Sequence, residues 1–338
     1  LVEFKNEEDE AEREEEISRR AGELLIKLAN EHLKSISFEK LIPLLAHSLK
    51  SNQSLAARIL KHHSTPAADF PADIWIHLFE SQDEDALRLT KELFFEINDD
   101  VLLEKADVIM QLCVSQNQSL RQEIRPIMNR LTAHDERFAR EALKQCYPLM
   151  LRKEAYEGLH EDILALIDGP FAAHLDYIPS EHIARMLRSR YLPVKSLGWK
   201  LFQSRSSLDD ITMRRVAVLA DNALLEVREA VWEYYQLHLL RVKAEMEDAC
   251  RILDTQWDDT RNFAITFFRE KLEEADWTPT LLVAVCDKPH PEVQSFGREL
   301  VTRYFNTNHG TEYLLKLSEH PTTELQTFAS DYLERYAT

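Results

Sequence analysis

Glycine is scarce in this chain: 6 among 338 residues, against a usual share of about 7%. Tight-turned sheets and phosphate-cradling loops both need residues that tolerate positive φ, so the scarcity argues against both. Cysteine is sparse too. Cys113, Cys146, Cys250 and Cys286 form no C-x-x-C pair, and each sits in an apolar helical context. That pattern reads as reduced, buried thiols in a cytoplasmic protein rather than a disulfide or zinc framework. No apolar run is long enough to span a bilayer, and no signal peptide is recognisable. H-E-x-x-H, G-x-S-x-G and phosphate-loop signatures are missing, so the expectation is no cofactor, no metal and no catalytic residue. A surplus of positive charge is missing as well. With 41 Lys plus Arg against 59 Asp plus Glu, the net charge is −18. The surface as a whole therefore disfavours nucleic acid and anionic membrane, although a local basic patch remains compatible with it.

What the chain does have is a repeat. Asp221, Asp254, Asp287 and Glu319 form one column; six residues on stand Val227, Thr260, Val293 and Leu325, followed by Arg228, Arg261, Gln294 and Gln326. The copies are 33, 33 and 32 residues apart. Such a period is the mark of stacked supersecondary units, each needing its neighbours to bury its apolar face. Carried backwards, the anchors of the second helices fall at Val194, Leu120, Leu87 and Leu55. Eight residues before the anchors stand His47, Phe79, Leu112, Met186, Leu219, Ile252, Val285 and Leu317; eleven before stand Leu44, Ile76, Ile109, Ile183, Val216, Ala249, Leu282 and Leu314. Positions three apart share a helix face, so these are the inward stripes of the first helices. Gly198, Ala264, Gly297 and Ala329, four after their anchors, are small enough for close helix approach, with Val231 the larger exception. The bulky pairs that follow, such as Tyr234–Tyr235 and Phe267–Phe268, read as core. The expected fold is all-α, a superhelical α-solenoid of about nine antiparallel helix pairs without sheet.

Residues 1–16 are an acidic tail or helix start, and 17–35 an N-terminal capping helix with Ile17, Ala21, Leu24, Leu25 and Leu28 on one face. The array then occupies 36–338, with an irregular longer unit near 132–180, where helices are expected over Arg137–Leu151 and Glu154–Asp168. Because Leu1 opens the chain and the last helix runs almost to Thr338, the chain is expected to be a piece of a longer polypeptide.

A two-helix unit with Asp at the turn and Val-Arg opening the second helix resembles HEAT repeats. The match is best at Asp221–Leu225–Val227-Arg228–Ala230 and at Asp287-Lys288-Pro289–Pro291–Val293–Gly297. It departs from the family at Gln294 and Gln326, where Arg is usual, and at Thr260 for Val. Cys286–Tyr336 also looks like the repeats of large, poorly characterised bacterial HEAT proteins. The resemblance implies a non-catalytic scaffold that presents a concave surface to a partner protein or to another domain of the same polypeptide. It also implies a ladder of Arg88, Arg121, Lys195, Arg228 and Arg261 bridging to the turn aspartates.

Five residues after the anchors come Trp199, Trp232, Ile265 and Arg298, off the core stripe. With Lys195, Lys200, Arg228, Arg261 and Arg269 they would form an aromatic–basic groove for an acidic or aromatic peptide. The opposing reading packs both tryptophans against neighbouring helices. The alternative function is a nucleic-acid-binding module, similar in architecture to HEAT-like alkylpurine DNA glycosylases, although no catalytic Asp of that family can be matched here. Interleaved Glu229 and Glu233 and the net charge oppose it. A hydrolase or transferase has no positive support.

Overall fold

A computed structural model of the chain describes residues 2–304, 315–321 and 323–336. Among these it is all-α, with no strand. Contacts divide it into two compact units, Leu1–Pro179 and Ser180–Thr338.

The first unit opens with α1 (Val2–Leu33), followed by α2 (Phe38–Leu45), α3 (Lys50–Lys61), α4 (Ala72–Phe79) and α5 (Glu84–Phe95). It continues with α6 (Asp99–Glu104), α7 (Ala106–Cys113), α8 (Gln118–His134), α9 (Glu136–Met150) and α10 (Leu159–Asp168). The second unit holds α11 (Ile183–Leu187), α12 (Leu192–Arg205), α13 (Met213–Leu219), α14 (Leu225–Leu237), α15 (Leu239–Ala244) and α16 (Met246–Ala249). After these come α17 (Asp258–Lys271), α18 (Pro279–Cys286), α19 (Pro291–Tyr304) and α20 (Thr323–Tyr336).

The second helix of each pair starts at Lys50, Glu84, Gln118, Leu159, Leu192, Leu225, Asp258, Pro291 and Thr323. Local chemistry sets several helix starts, of first and second helices alike. Asp83, Asn117 and Asp135 accept from backbone N–H groups of the first turn that would otherwise lack partners. Pro193 and Pro279 occupy opening positions, where a missing N–H costs nothing. Gly158, at φ 82°, turns the chain into α10. Within each unit a second helix packs on its own first helix, as in α2–α3, α7–α8, α11–α12 and α18–α19. Successive second helices also touch, as in α3–α5, α8–α10, α14–α17 and α17–α19.

The stripes fall inward from the third pair onward. Leu112, Met186, Ile252, Val285 and Leu317 are buried, as are Ile109, Ile183, Val216, Ala249 and Leu282, while Leu219 is half-buried. Leu314 and the Leu333 side chain lie outside the described residues. The expected aromatic core is present: Tyr235, Phe267 and Phe268 are buried around Trp277. Gly297 is there for contact, because a Cβ at this position would lie 2.6 Å from the Cys286 backbone nitrogen.

Two registers differ from expectation. The other anchors sit two residues into their helices, so the true equivalents of Leu55 and Leu87 are Asn52 and Ala86. Leu55 lies one turn on from Asn52 on the same face and Leu87 is next to Ala86, so the apolar pattern alone does not separate the registers. His47 accordingly lies beyond the end of α2, exposed, its Nδ1 accepting from the Leu49 N–H at 3.0 Å. Of the helices expected over 137–151 and 154–168, the first is α9, and the second, α10, starts only at Leu159, after a turn over 154–158.

The N-terminal segment is the larger correction. Residues 2–33 form one helix, with a local departure from helical geometry at Ala29. Its apolar stripe does not face the pairs: Ile17, Leu24 and Leu28 are 67%, 58% and 81% exposed. The face on α3 is instead short and polar in its first half. Ser18 donates to Asn52 Oδ1 at 2.7 Å, Glu15 accepts from the Ser51 N–H, and a Cβ on Gly22 would already meet Leu55 at 3.3 Å. Close approach and capping of α3 select that face.

Candidate functional site

At the fourth position of most second helices stands a residue whose side chain reaches back to the turn just left. Gln53 donates to the His47 carbonyl, Arg121 to Ser115, Arg228 to Asn222, Arg261 to Thr255, Gln294 to Lys288 and Gln326 to His320. Each spans six residues, so one backbone acceptor at each of these six turns is satisfied in the same way. The arginines also reach the next pair. Arg121 pairs with Asp162 at 2.7 Å, Arg228 with Asp259 at 2.6 Å and Arg261 with Glu292 at 2.5 Å. Burial alone would push the Asp259 carboxyl up; the Arg228 guanidinium and the Thr260 N–H outweigh it and hold the pKa below the ordinary value. Glu292 is likewise lowered, first by its own backbone N–H and then by Arg261.

The turn acids form a second, parallel set of bonds. Asp221 Oδ1 accepts from Thr255 Oγ1 at 2.9 Å and from the Gln256 N–H at 2.8 Å. Asp254 pairs with Lys288 at 2.6 Å and Asp287 with His320 at 3.3 Å. The expected Arg-to-turn-Asp ladder is therefore two ladders: arginine to the next second helix, and aspartate to the next turn. Arg88 belongs to neither. It is exposed and pairs along its own helix with Asp85 and Glu92, because the equivalent position is Leu87.

The nine residues proposed for an aromatic–basic groove do not form one open surface; Arg298 is half-buried. Trp199 is 4% exposed and stacks on Phe202 with ring centroids 5.4 Å apart; Ile265 is buried. Arg228 and Arg261 are buried in the ladder, and the Arg228 guanidinium lies over Trp257 at 4.4 Å. Trp232 is half-buried, stacked on Phe263, and its Nε1 has no partner among the described residues. Lys195 is half-buried, and burial lowers its pKa against the pull of Asp221. Lys200 and Arg269 are exposed, and Arg269 is paired with Glu299 at 2.8 Å.

A groove of about 640 Å³ in the first unit is lined from α1, α3 and α5 by Arg19, Arg58, Lys61 and Arg88, among others. Its charge is largely balanced. Arg19 pairs with Glu16 and Glu23, Lys61 with Glu92, and Arg88 with Asp85 and Glu92. This is a poor cradle for a phosphate backbone, which is attracted by uncompensated cations.

A contiguous surface with no internal explanation among the described residues is the outer face of α1. Ile17, Ala21, Leu24 and Leu28 recur at steps of four, three and four, with Leu25 (43% exposed) beside them. Hydrophobic periodicity revealed the stripe, but its direction needed the position of α3. The four cysteines are buried free thiols, and burial pushes Cys146, Cys250 and Cys286 up to about 12. Among the described residues, no helix is long and apolar enough to cross a membrane. No protein-family model matches the chain, and neither does any curated protein.

Proposed function

We propose that this chain is a non-catalytic, HEAT-like protein-interaction scaffold that engages a helix of a partner protein through the outer face of α1. The observation that carries the reading is the contiguous exposed stripe of Ile17, Leu24 and Leu28. Single exposed aliphatic residues are ordinary, but an aligned row along three helical turns is the pattern of a surface that is covered in use. Burying such a side chain fully contributes roughly 1.5–3 kcal/mol. Three of them only offset an association cost of about 4–15 kcal/mol, so a specific partner must add contacts at the edges. The internal use of Arg228, Arg261 and Trp199 supports placing recognition here rather than on the second helices of the second unit.

The test places a photo-crosslinking residue at Leu24 in cells, with a Leu24→Asp/Leu28→Asp double variant as the control. Both side chains are exposed, so helical circular dichroism and melting should match the parent. Support is an adduct whose partner, once purified, binds the parent chain and not the double variant. Adducts only with lipid, or partners that bind both forms equally, refute the reading.

A further inference from the structure

Resting on that reading, we infer that the occupant of the α1 face is an amphipathic helix with acidic residues along one edge. In several of the described pairs a second helix packs both on a first helix and on a neighbouring second helix, as α3 packs on α2 and α5. The α1 helix stands beside α3 as a second helix would, and among the described residues its opposite, apolar face stays exposed.

The exposed stripe has the spacing that a helix partner reads. Steps of four and three keep Ile17, Ala21, Leu24 and Leu28 on one seam, where knobs from a second helix fit between them. Ala21 is the small member, which allows the axes to approach in mid-seam. A strand or an irregular peptide has no such period.

Charge selects among helices. At 100° per residue, Arg13, Arg20 and Lys27 fall in a row along one edge of the seam, seven residues apart, and all three are exposed. Arg20 is held by Glu16 at 2.6 Å on the same helix, which leaves its outer side open to a second carboxylate. A second copy of this chain is a poor occupant. Antiparallel pairing would set this basic row against itself, and parallel pairing would set it against Ser18 and Leu25, which supply no acid. A helix with an apolar stripe and Asp or Glu beside it meets both requirements, burying the seam and neutralising the row.

The experiment uses the full chain and two synthetic amphipathic peptides of a few heptads, identical except that the edge positions carry Glu in one and Lys in the other. Binding is read by fluorescence anisotropy at low and high salt, and peptide helicity by circular dichroism. The Glu-edged peptide should bind, gain helix and weaken as salt rises, while the Lys-edged peptide should bind at least tenfold more weakly. Arg20→Glu/Lys27→Glu should invert that preference without changing the melting of the chain. Equal binding of both peptides, no binding of either, or self-association abolished by Leu24→Asp would overturn the inference. These results are separable from the crosslinking test: an adduct to a protein through a non-helical or basic segment would keep the scaffold reading and refute only the nature of its occupant.

Discussion

Arg228 offers the sharpest test of whether the repeated arginines hold the pairs together or are kept for a ligand. Its guanidinium donates to the Asn222 and Ala223 carbonyls at 3.0 and 3.2 Å and pairs with Asp259 at 2.6 Å. Bonds from a charged donor to buried acceptors are worth roughly 1.5–3 kcal/mol each, and an orphaned buried acceptor costs a similar amount. The ion pair adds little, because the Asp259 side chain is 41% exposed and water screens it. Against these gains stands the Arg228 Nε, buried without a partner among the described residues. The net cost of Arg228→Ala is therefore about 3 kcal/mol. The chain supplies its own control, since Gln294 and Gln326 make the backbone bond of the same column from a neutral amide. Arg228→Gln should keep that bond, lose the bridge to Asp259 and cost only about 1 kcal/mol. Arg88→Ala, on an exposed residue outside the column, should stay within about 0.5 kcal/mol. Urea denaturation followed by far-ultraviolet circular dichroism measures all three, read from the midpoint provided the slope is unchanged. An Arg228→Ala variant as stable as the parent, or a Gln variant no better than Ala, would show that the column does not serve stacking.

Other outcomes follow from close packing and burial. Gly297→Ala would drive a methyl to within 2.6 Å of the Cys286 backbone, which no side-chain movement relieves, so it should cost about 1–3 kcal/mol in the same denaturation assay. Gly22→Ala meets only the Leu55 side chain, nearest at its Cδ2 at 3.3 Å, and should be far milder. All four thiols should resist Ellman's reagent in the native chain and react once it is unfolded. The cause is burial, which keeps them protonated and out of reach, and rapid labelling of any one under native conditions would contradict its placement.

The repeat was legible because the same bonds are made again and again. Each pair needs an apolar stripe, a small residue for close approach and a donor for the turn carbonyl, so Gly198, Gly297, Arg228 and Gln294 recur at fixed intervals. Helix class, the number of pairs and the aromatic core all follow from that periodicity. Direction did not. Where an apolar residue stands one or three places beyond the equivalent position, as Leu87 does after Ala86 and Leu55 after Asn52, the pattern fits two registers, and in α3 the bonds of Gln53 to its own turn and the next separate them. The tryptophan column was visible, but whether Trp199 met a ligand or Phe202 depended on a neighbour three residues along and on the packing around both. The α1 helix shows the limit most plainly. Its sequence determines that a helix forms and that one side is apolar, because backbone bonds and side-chain spacing are local. Which side meets α3 was decided by Gly22, Ser18 and Glu15, whose close approach and capping bonds exist only once α3 is beside them. Hydrophobicity rewards burial without naming the surface that does the burying. The tertiary structure therefore turned the expected inner stripe of a capping helix into the outer surface on which a partner is proposed.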